Sequence, residues 1–237
     1  ASVVTLDLLL LVLAVLVLAG GGVRADWTQT TGGTYDYSTP ANWDGGTINN
    51  VFLSSSYSDT DQTIRITSDG EWNSTDAVTT AHTNDTTLLL RAAGADRNLA
   101  LGGGVTFVTA GADANDDNIL SLLQFGTVNA NENINFSLAS VLPVQVDAPE
   151  FDDACVIFNG VFSGNGGLAK SGGGHLYLQN AASTFTGNLE VTGGLTILAG
   201  SSATLATESI VVGRQNKPFG YTSTYAGTQG VLVMGNN

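Results

Sequence analysis

The chain is poor in positive charge and in charge of any kind. Its 237 residues include seven lysines and arginines against 21 aspartates and glutamates, and the net charge is −14. A nucleic-acid-binding surface needs clustered basic side chains, which seven scattered residues do not supply. Charged residues, several of which favour helices, make up only 12% of the chain. These shortages exclude nucleic acid as a partner and argue against a helical protein.

Cysteine is almost absent. Cys155 is the single cysteine, so the chain cannot form an intrachain disulfide or a cysteine-based metal site. It lies in an apolar stretch over residues 154–158, and we expect a small buried side chain rather than a reactive thiol. No cofactor is expected.

The residues that are abundant favour strands and turns. The chain has 30 glycines, and threonine, serine, asparagine and valine are frequent. Alternation of apolar and polar residues predicts strands. Residues 119–125 are an exception and could form a short helical turn. The predicted strands cover residues 62–67, 87–91, 105–109, 154–158, 175–179, 189–192, 195–199, 209–212 and 230–234.

Short strands of this kind suit a sandwich, a barrel or a solenoid. Residues 166–200 favour the solenoid, because each alternating strand is followed at once by a glycine corner and then by another strand. Stacked turns of chain need inward apolar residues and glycine or asparagine at corners with positive φ. The pattern therefore predicts a parallel β-helix.

The same stretch resembles the autotransporter-associated β-strand repeat. This sequence departs from the repeat pattern in two places: Ala181, Ala182 and Ser183 lengthen a turn, and one residue is omitted before Leu195. The resemblance implies an exported β-helical protein, such as an autotransporter passenger region or an adhesin. The matching residues are Gly166, Gly167, Leu168, Lys170, Gly172, Gly174, Leu176, Leu178, Asn180, Phe185, Thr186, Gly187, Val191, Gly193, Gly194 and Leu195.

The N-terminus has the pattern of a targeting segment. An uncharged apolar run over residues 8–19 precedes small residues and Val23-Arg24-Ala25, which predicts a signal peptide over residues 1–25. A retained membrane anchor is the alternative. We expect the protein to be exported and to lie outside a bacterium, on its outer surface or at its periplasmic face. Contact with the membrane is then expected only through the signal segment before cleavage.

Two acidic segments are candidate sites. Asp113, Asn115 and Asp117 alternate like the start of a calcium loop, but Asn118 and Gln124 stand where glycine and glutamate are needed. A solvated loop is therefore favoured over a metal site. Residues 147–153 gather four carboxylates that could serve glycoside hydrolysis, and a surface turn is the simpler interpretation.

The histidines give no clear catalytic pattern. His82 is predicted to lie in a polar turn and His175 at an exposed strand edge, and no Gly-x-Ser-x-Gly elbow is present. Polysaccharide lyases combine carboxylates with a basic residue, but the basic residues here are scattered. We expect no catalytic residues.

Tryptophan is concentrated near the start of the predicted mature chain. Trp27, Trp43 and Trp72 could stack on a sugar as glycan contacts. The favoured alternative is an apolar plug that covers the first turn of a solenoid.

These observations predict an all-β fold: a single-stranded, right-handed parallel β-helix (β-solenoid) with an irregular N-terminal cap, preceded by a signal-peptide helix. The cap is expected over residues 26–60 and the solenoid over residues 61–237, with the repeat at about 160–200, in a protein truncated at both ends. The expected function is a structural or adhesive module without catalysis. Its partners would be host or environmental surface glycans or proteins. The alternatives are a carbohydrate-active β-helix, either polysaccharide lyase or glycoside hydrolase, and a glycan-binding module.

Overall fold

The protein is all-β. The structure is a computed structural model that describes residues 24–44, 47–53, 60–72, 77–82, 86–111, 121–148, 154–180, 182–199, 204–205, 210–212 and 230–235. These residues form 22 strands and one 3-10 turn over Pro40–Asn42. The strands are β1 Arg24–Asp26, β2 Gly33–Asp36, β3 Thr47–Leu53, β4 Gln62–Ile66, β5 Gly70–Trp72, β6 Ala77–His82, β7 Thr86–Ala92, β8 Arg97–Leu101, β9 Thr106–Gly111, β10 Ser121–Phe125, β11 Ile134–Leu138, β12 Leu142–Asp147, β13 Ala154–Phe158, β14 Phe162–Gly164, β15 Leu168–Ser171, β16 His175–Leu178, β17 Ala182–Ser183, β18 Leu189–Val191, β19 Gly194–Ala199, β20 Thr204–Leu205, β21 Ile210–Val212 and β22 Gly230–Gly235.

The strands form parallel sheets, and successive strands along the chain enter these sheets in a regular order. The first sheet is β1-β3-β6-β9-β12-β15-β18-β21, and the second is β2-β4-β7-β10-β13-β16-β19-β22. The third sheet is β14-β11-β8-β5, and a two-stranded sheet pairs β17 with β20. From β3 onward the chain visits the first sheet, the second sheet and then the third or two-stranded sheet, so each of the strands β3 to β19 except β14 pairs with the strand three places later. Backbone groups are thereby satisfied within the sheets.

The core consists of side chains stacked in register. Alternate residues point inward, and β4, β7 and β10 each bury every second side chain. Burying a leucine or phenylalanine side chain stabilises the fold by about 1.5–3 kcal/mol. One column across the second sheet runs Ile64–Leu90–Phe125–Phe158–Leu178–Leu198.

All nine predicted strands overlap a strand of the structure, and residues 154–158 match β13 at both ends. The possible helical turn at 119–125 is wrong over its described part, since residues 121–125 form β10. This strand pairs in parallel with β7 and β13 on its two sides. Ser121, Leu123 and Phe125 are buried in alternation, which a helical turn would not allow. His82, expected in a turn, is the last residue of β6.

The segment predicted as an irregular cap contributes to the main sheets. β2 belongs to the second sheet and β3 to the first, so no break in either sheet falls near residue 60. Arg24–Asp26, at the predicted cleavage site, forms β1 and pairs with β3. The predicted signal helix lies outside the described residues. Among the residues that are described, none lies in a helix long and apolar enough to cross a bilayer.

Candidate functional site

A charged side chain stands in an apolar column of the core. Lys170, on β15, is aligned with Val144 of β12 on one side and with Val191 of β18 on the other. It has 0% exposure. A buried ammonium is costly unless it is hydrogen-bonded. Lys170 is thus the residue of the repeat that most needs an explanation.

Three backbone carbonyls surround the ammonium of Lys170. Its Nζ donates to the carbonyl oxygens of Ser171 at 2.8 Å, Gly172 at 2.8 Å and Gly193 at 3.0 Å. An ammonium has three donors, so these contacts use its full capacity. Ser171 ends β15 and Gly172 begins the corner between β15 and β16, whereas Gly193 belongs to the corner between β18 and β19. The side chain therefore joins two successive corners.

Glycines make this arrangement possible. Gly172 and Gly194 have φ of 79° and 63°, in the left-handed region that favours glycine. A Cβ at Gly172 would lie 2.2 Å from the carbonyl oxygen of Val146, and one at Gly194 would lie 2.2 Å from that of Gly174. The two corners can stack closely only without side chains at these positions.

Burial controls the electrostatics of this corner. It lowers the pKa of Lys170 to about 8, against the opposing effect of the Asp147 carboxylate and of Cys155. Burial also raises the pKa of Cys155 to about 12, with Lys170 acting in the opposite direction. Lys170 therefore stays charged at neutral pH and Cys155 stays a thiol. The prediction that Cys155 is a small buried side chain is confirmed.

The remaining repeat residues have packing and corner roles. A Cβ at Gly166 would lie 2.0 Å from the carbonyl oxygen of Ser140, and one at Gly167 would lie 2.4 Å from that of Asn188. Thr186 is exposed and its N–H donates to the carbonyl of Gly164 at 3.0 Å. Asn180 is half-buried and Gly187 approaches the backbone of the preceding corner. The buried apolar members are Leu168, Leu176, Leu178, Phe185 and Val191.

β19 does not follow its apparent pattern. Leu195 and Ile197 alternate in the sequence, yet both are only half-buried, and the structure buries Thr196 and Leu198 instead. The register with β16 aligns Thr196 with Leu176, so pairing with the preceding strand decides which residues face inward. The hydroxyl of Thr196 has no hydrogen-bond partner among the described residues.

The three tryptophans lie inside the protein. Trp27, Trp43 and Trp72 are only 3%, 4% and 2% exposed. Trp27 and Trp43 pack edge to face at 4.9 Å, and Tyr37 stacks on Trp72 at 6.2 Å. The indole N–H groups donate to Gln62 Oε1, Tyr37 O and Tyr37 Oη at 2.9, 2.8 and 3.0 Å. Their faces are covered by these contacts, so in this conformation they are not available to stack on a sugar.

Acidic and amide side chains at one strand accept hydrogen bonds from backbone N–H groups at the neighbouring strand of the same sheet. Oδ1 of Asp61 accepts from the N–H of Thr87 at 2.8 Å, and Oδ1 of Asp69 accepts from that of Asn98 at 2.9 Å. The latter bond is the largest cause that lowers the pKa of Asp69. Sequence reasoning missed this device, although an Asp directly before each strand could have indicated it. Two further bonds of the kind are Asn133 N–H to Asp96 Oδ1 at 3.0 Å and Val161 N–H to Asn135 Oδ1 at 3.0 Å.

Most residues of the other predicted sites lie outside the described part of the chain. Asp113, Asn115 and Asp117 lie outside the described residues, as do all members of the 147–153 acidic segment except Asp147 and Ala148. His175 begins β16 as expected, but it is half-buried and lies between β13 and β19, so an exposed edge is wrong. Within the described segments no three His, Cys, Asp or Glu residues come together in a group that could hold a metal ion.

The chain was compared with family models, with curated proteins and with solved structures, and no match was found in any of the three. The resemblance to the autotransporter-associated repeat therefore depends on the residues of the repeat alone.

Proposed function

We propose that this chain is a structural, adhesive module of a bacterial secreted or cell-surface protein, built as one right-handed parallel β-helix. The observation that carries the proposal is the strand order, in which each of the strands β3 to β19 except β14 pairs with the strand three places later. A chain that winds around a continuous core visits its sheets in such an order. The fold thus provides a long surface supported by a rigid interior.

The corner of Lys170 supports a scaffold rather than an enzyme. A general base or nucleophile must reach a substrate, whereas Lys170 has 0% exposure and its three donors bind backbone carbonyls. Its role is to hold two corners together. We propose that the module acts without catalysis or a cofactor and binds surface glycans or proteins.

Export is part of the proposal. The apolar run over residues 8–19 and the small residues after it support a signal peptide that ends at Ala25. N-terminal sequencing of material secreted by a bacterial host tests this, with Asp26 expected as the first residue. A secreted chain that still contains residues 8–19 would contradict the cleavage.

Adhesion is tested with the purified chain on beads. Beads coated with folded chain are expected to stick to glycan- or protein-coated surfaces, and beads coated with heat-unfolded chain are not. The same preparation is incubated with acidic and neutral polysaccharides, and reducing ends and unsaturated products are measured. Adhesion without degradation is the expected result. Polysaccharide turnover would instead favour the carbohydrate-active alternative.

A further inference from the structure

The corner around Lys170 has the features of a cation site. The carbonyl oxygens of Ser171, Gly172 and Gly193 lie 2.8, 2.8 and 3.0 Å from one point, the Nζ atom of Lys170. Carbonyl oxygens can replace the hydration shell of a monovalent cation, as they do in potassium channels. Because Lys170 has 0% exposure, the chain itself and not bulk solvent surrounds this point.

A carboxylate adds negative charge at the same corner. Oδ1 of Asp147 would lie 2.7 Å from a Cβ at Gly172, and Oδ2 of Asp147 accepts a hydrogen bond from Nε2 of Gln145. Burial lowers the pKa of Lys170, and the Asp147 carboxylate opposes this effect by favouring the charged ammonium. One carboxylate beside three neutral carbonyls balances a single positive charge better than a double one.

The distances select the class of ion. Ca²⁺ and Mg²⁺ bind oxygen at about 2.3–2.6 and 2.0–2.1 Å, and Ca²⁺ takes about six to eight oxygen ligands. The distances of 2.8–3.0 Å from Nζ of Lys170 are longer than these, and they are normal for hydrogen bonds from an ammonium group. Potassium has a size similar to that of ammonium. The corner therefore suits ammonium and potassium better than the divalent cations.

The backbone keeps the corner in place without help from the lysine side chain. A Cβ at Gly194 would lie 2.7 Å from the carbonyl oxygens of Gly172 and Gly173 and 2.2 Å from that of Gly174. The N–H of Gly174 also donates to the carbonyl of Val146 at 2.9 Å. Since these contacts join backbone to backbone, we expect the carbonyls to stay aimed at the same point when residue 170 is shortened.

We propose that this corner is a binding site for a monovalent cation of the ammonium and potassium class, and that the side chain of Lys170 is its built-in occupant. Wild type then needs no free ion at the corner. A chain with a short apolar side chain at residue 170 is expected to take up a free cation instead. Because a free ion lacks the covalent tether, its dissociation constant is expected to be high, about 0.1 M.

The test uses Lys170→Ala in the full chain, which removes the ammonium and most of its stem. The variant is refolded at neutral pH, so that an ion can enter as the corner forms, and urea unfolding is measured in the chlorides of ammonium, potassium, sodium and tetramethylammonium. At about 1 M, ammonium and potassium are expected to shift the unfolding equilibrium about tenfold toward the folded chain relative to tetramethylammonium. Tetramethylammonium has no N–H group and is too large for the corner. Sodium, the smaller ion, is expected to shift the equilibrium less than potassium does.

Wild type and Lys170→Met are the matched controls. Wild type has the site filled, and the methionine fills the space of the stem, so neither should distinguish potassium from tetramethylammonium by more than a general salt effect. Lys170→Val continues the column of Val144 and Val191 and covers the case in which the alanine variant does not fold. Circular dichroism verifies the fold of each.

Three results would overturn the proposal. One is an equal response of the alanine and valine variants to all four salts. Another is a response of wild type as large as that of the variants. The third is that neither variant folds even in ammonium chloride, since the corner would then not accept a free cation.

Discussion

Replacing Lys170 by methionine removes the buried ammonium while keeping a side chain of similar length. Burial lowers the pKa of Lys170 from 10.5 to about 8 in the folded protein. Below pH 8 both the folded and the unfolded chain hold the proton. Between about pH 8 and 10.5 the unfolded chain keeps it and the folded chain loses it, so stability rises with pH in this window.

The size of the effect follows from the shift in pKa. The difference between 10.5 and about 8 is worth about 3 kcal/mol, at about 1.4 kcal/mol for each pH unit. We expect the free energy of unfolding of wild type to rise by about 3 kcal/mol relative to Lys170→Met between pH 7 and 11. All other groups are the same in both proteins, so their contributions cancel in the difference.

Below pH 8 Lys170→Met should be the less stable protein. It leaves the carbonyls of Ser171, Gly172 and Gly193 without their donor, and each unsatisfied buried acceptor costs about 1–3 kcal/mol. Substitution of Lys217, the other lysine of the chain, is the control and should leave the pH dependence unchanged. Urea unfolding at each pH gives the free energies.

A direct measurement is the NMR titration of lysine labelled at its ε-carbon. Because the sequence has two lysines, two resonances are expected, and one should titrate near pH 8. Parallel pH profiles for wild type and Lys170→Met, or two resonances that both titrate above pH 10, would refute the account of the Lys170 corner.

Four substitutions test the packing by denaturant unfolding. Gly160→Ala should destabilise the fold by more than about 3 kcal/mol, because its Cβ would lie 1.8 Å from the carbonyl oxygen of Ile134. Gly103→Ala should change the free energy of unfolding little, since the atom nearest to its Cβ would be 3.7 Å away. Equal losses of stability in the two glycine variants would contradict the argument from close backbone approach. Thr196→Val should stabilise by about 1 kcal/mol, because it removes a buried hydroxyl that lacks a partner among the described residues; a loss of stability would mean that the hydroxyl is satisfied. Phe125→Ala should cost about 3–5 kcal/mol, since its ring is fully buried and stacks 4.9 Å from Phe158, and a cost below about 1 kcal/mol would contradict a packed aromatic core.

The sequence was most informative where a strand alternates over several residues. The alternation of apolar and charged residues in Ile64-Arg65-Ile66 of β4 and Leu189-Glu190-Val191 of β18 marks both the strand and its buried face, because side chains in a strand alternate between two environments. The glycine corners of residues 166–200 were informative for a similar reason. Only glycine tolerates positive φ together with a backbone contact this close.

Other features depend on neighbours that are distant in the chain. Nothing near Lys170 in the sequence marks it as buried, since its acceptors include the carbonyl of Gly193, 23 residues away. In β19 the apolar Leu195 and Ile197 face outward because the register with β16 decides which side is buried. The tryptophans could be weighed as a plug or as glycan contacts, and only the packing of Trp27 against Trp43 distinguishes these roles.

The regular strand order has a consequence for how the chain folds and evolves. Cys155 pairs with His175, 20 residues later, and Leu168 pairs with Leu189, 21 residues later. Other strand partners lie further apart, up to the 37 residues between Phe107 and Val144, and closing loops of this length costs little more entropy, because the cost rises only slowly with loop length. Contact order is accordingly low for an all-β protein, and folding can begin at several places and spread to neighbouring strands. Duplication or loss of one three-strand unit would leave the remaining contacts intact, so a gene of this kind can change length without a new fold.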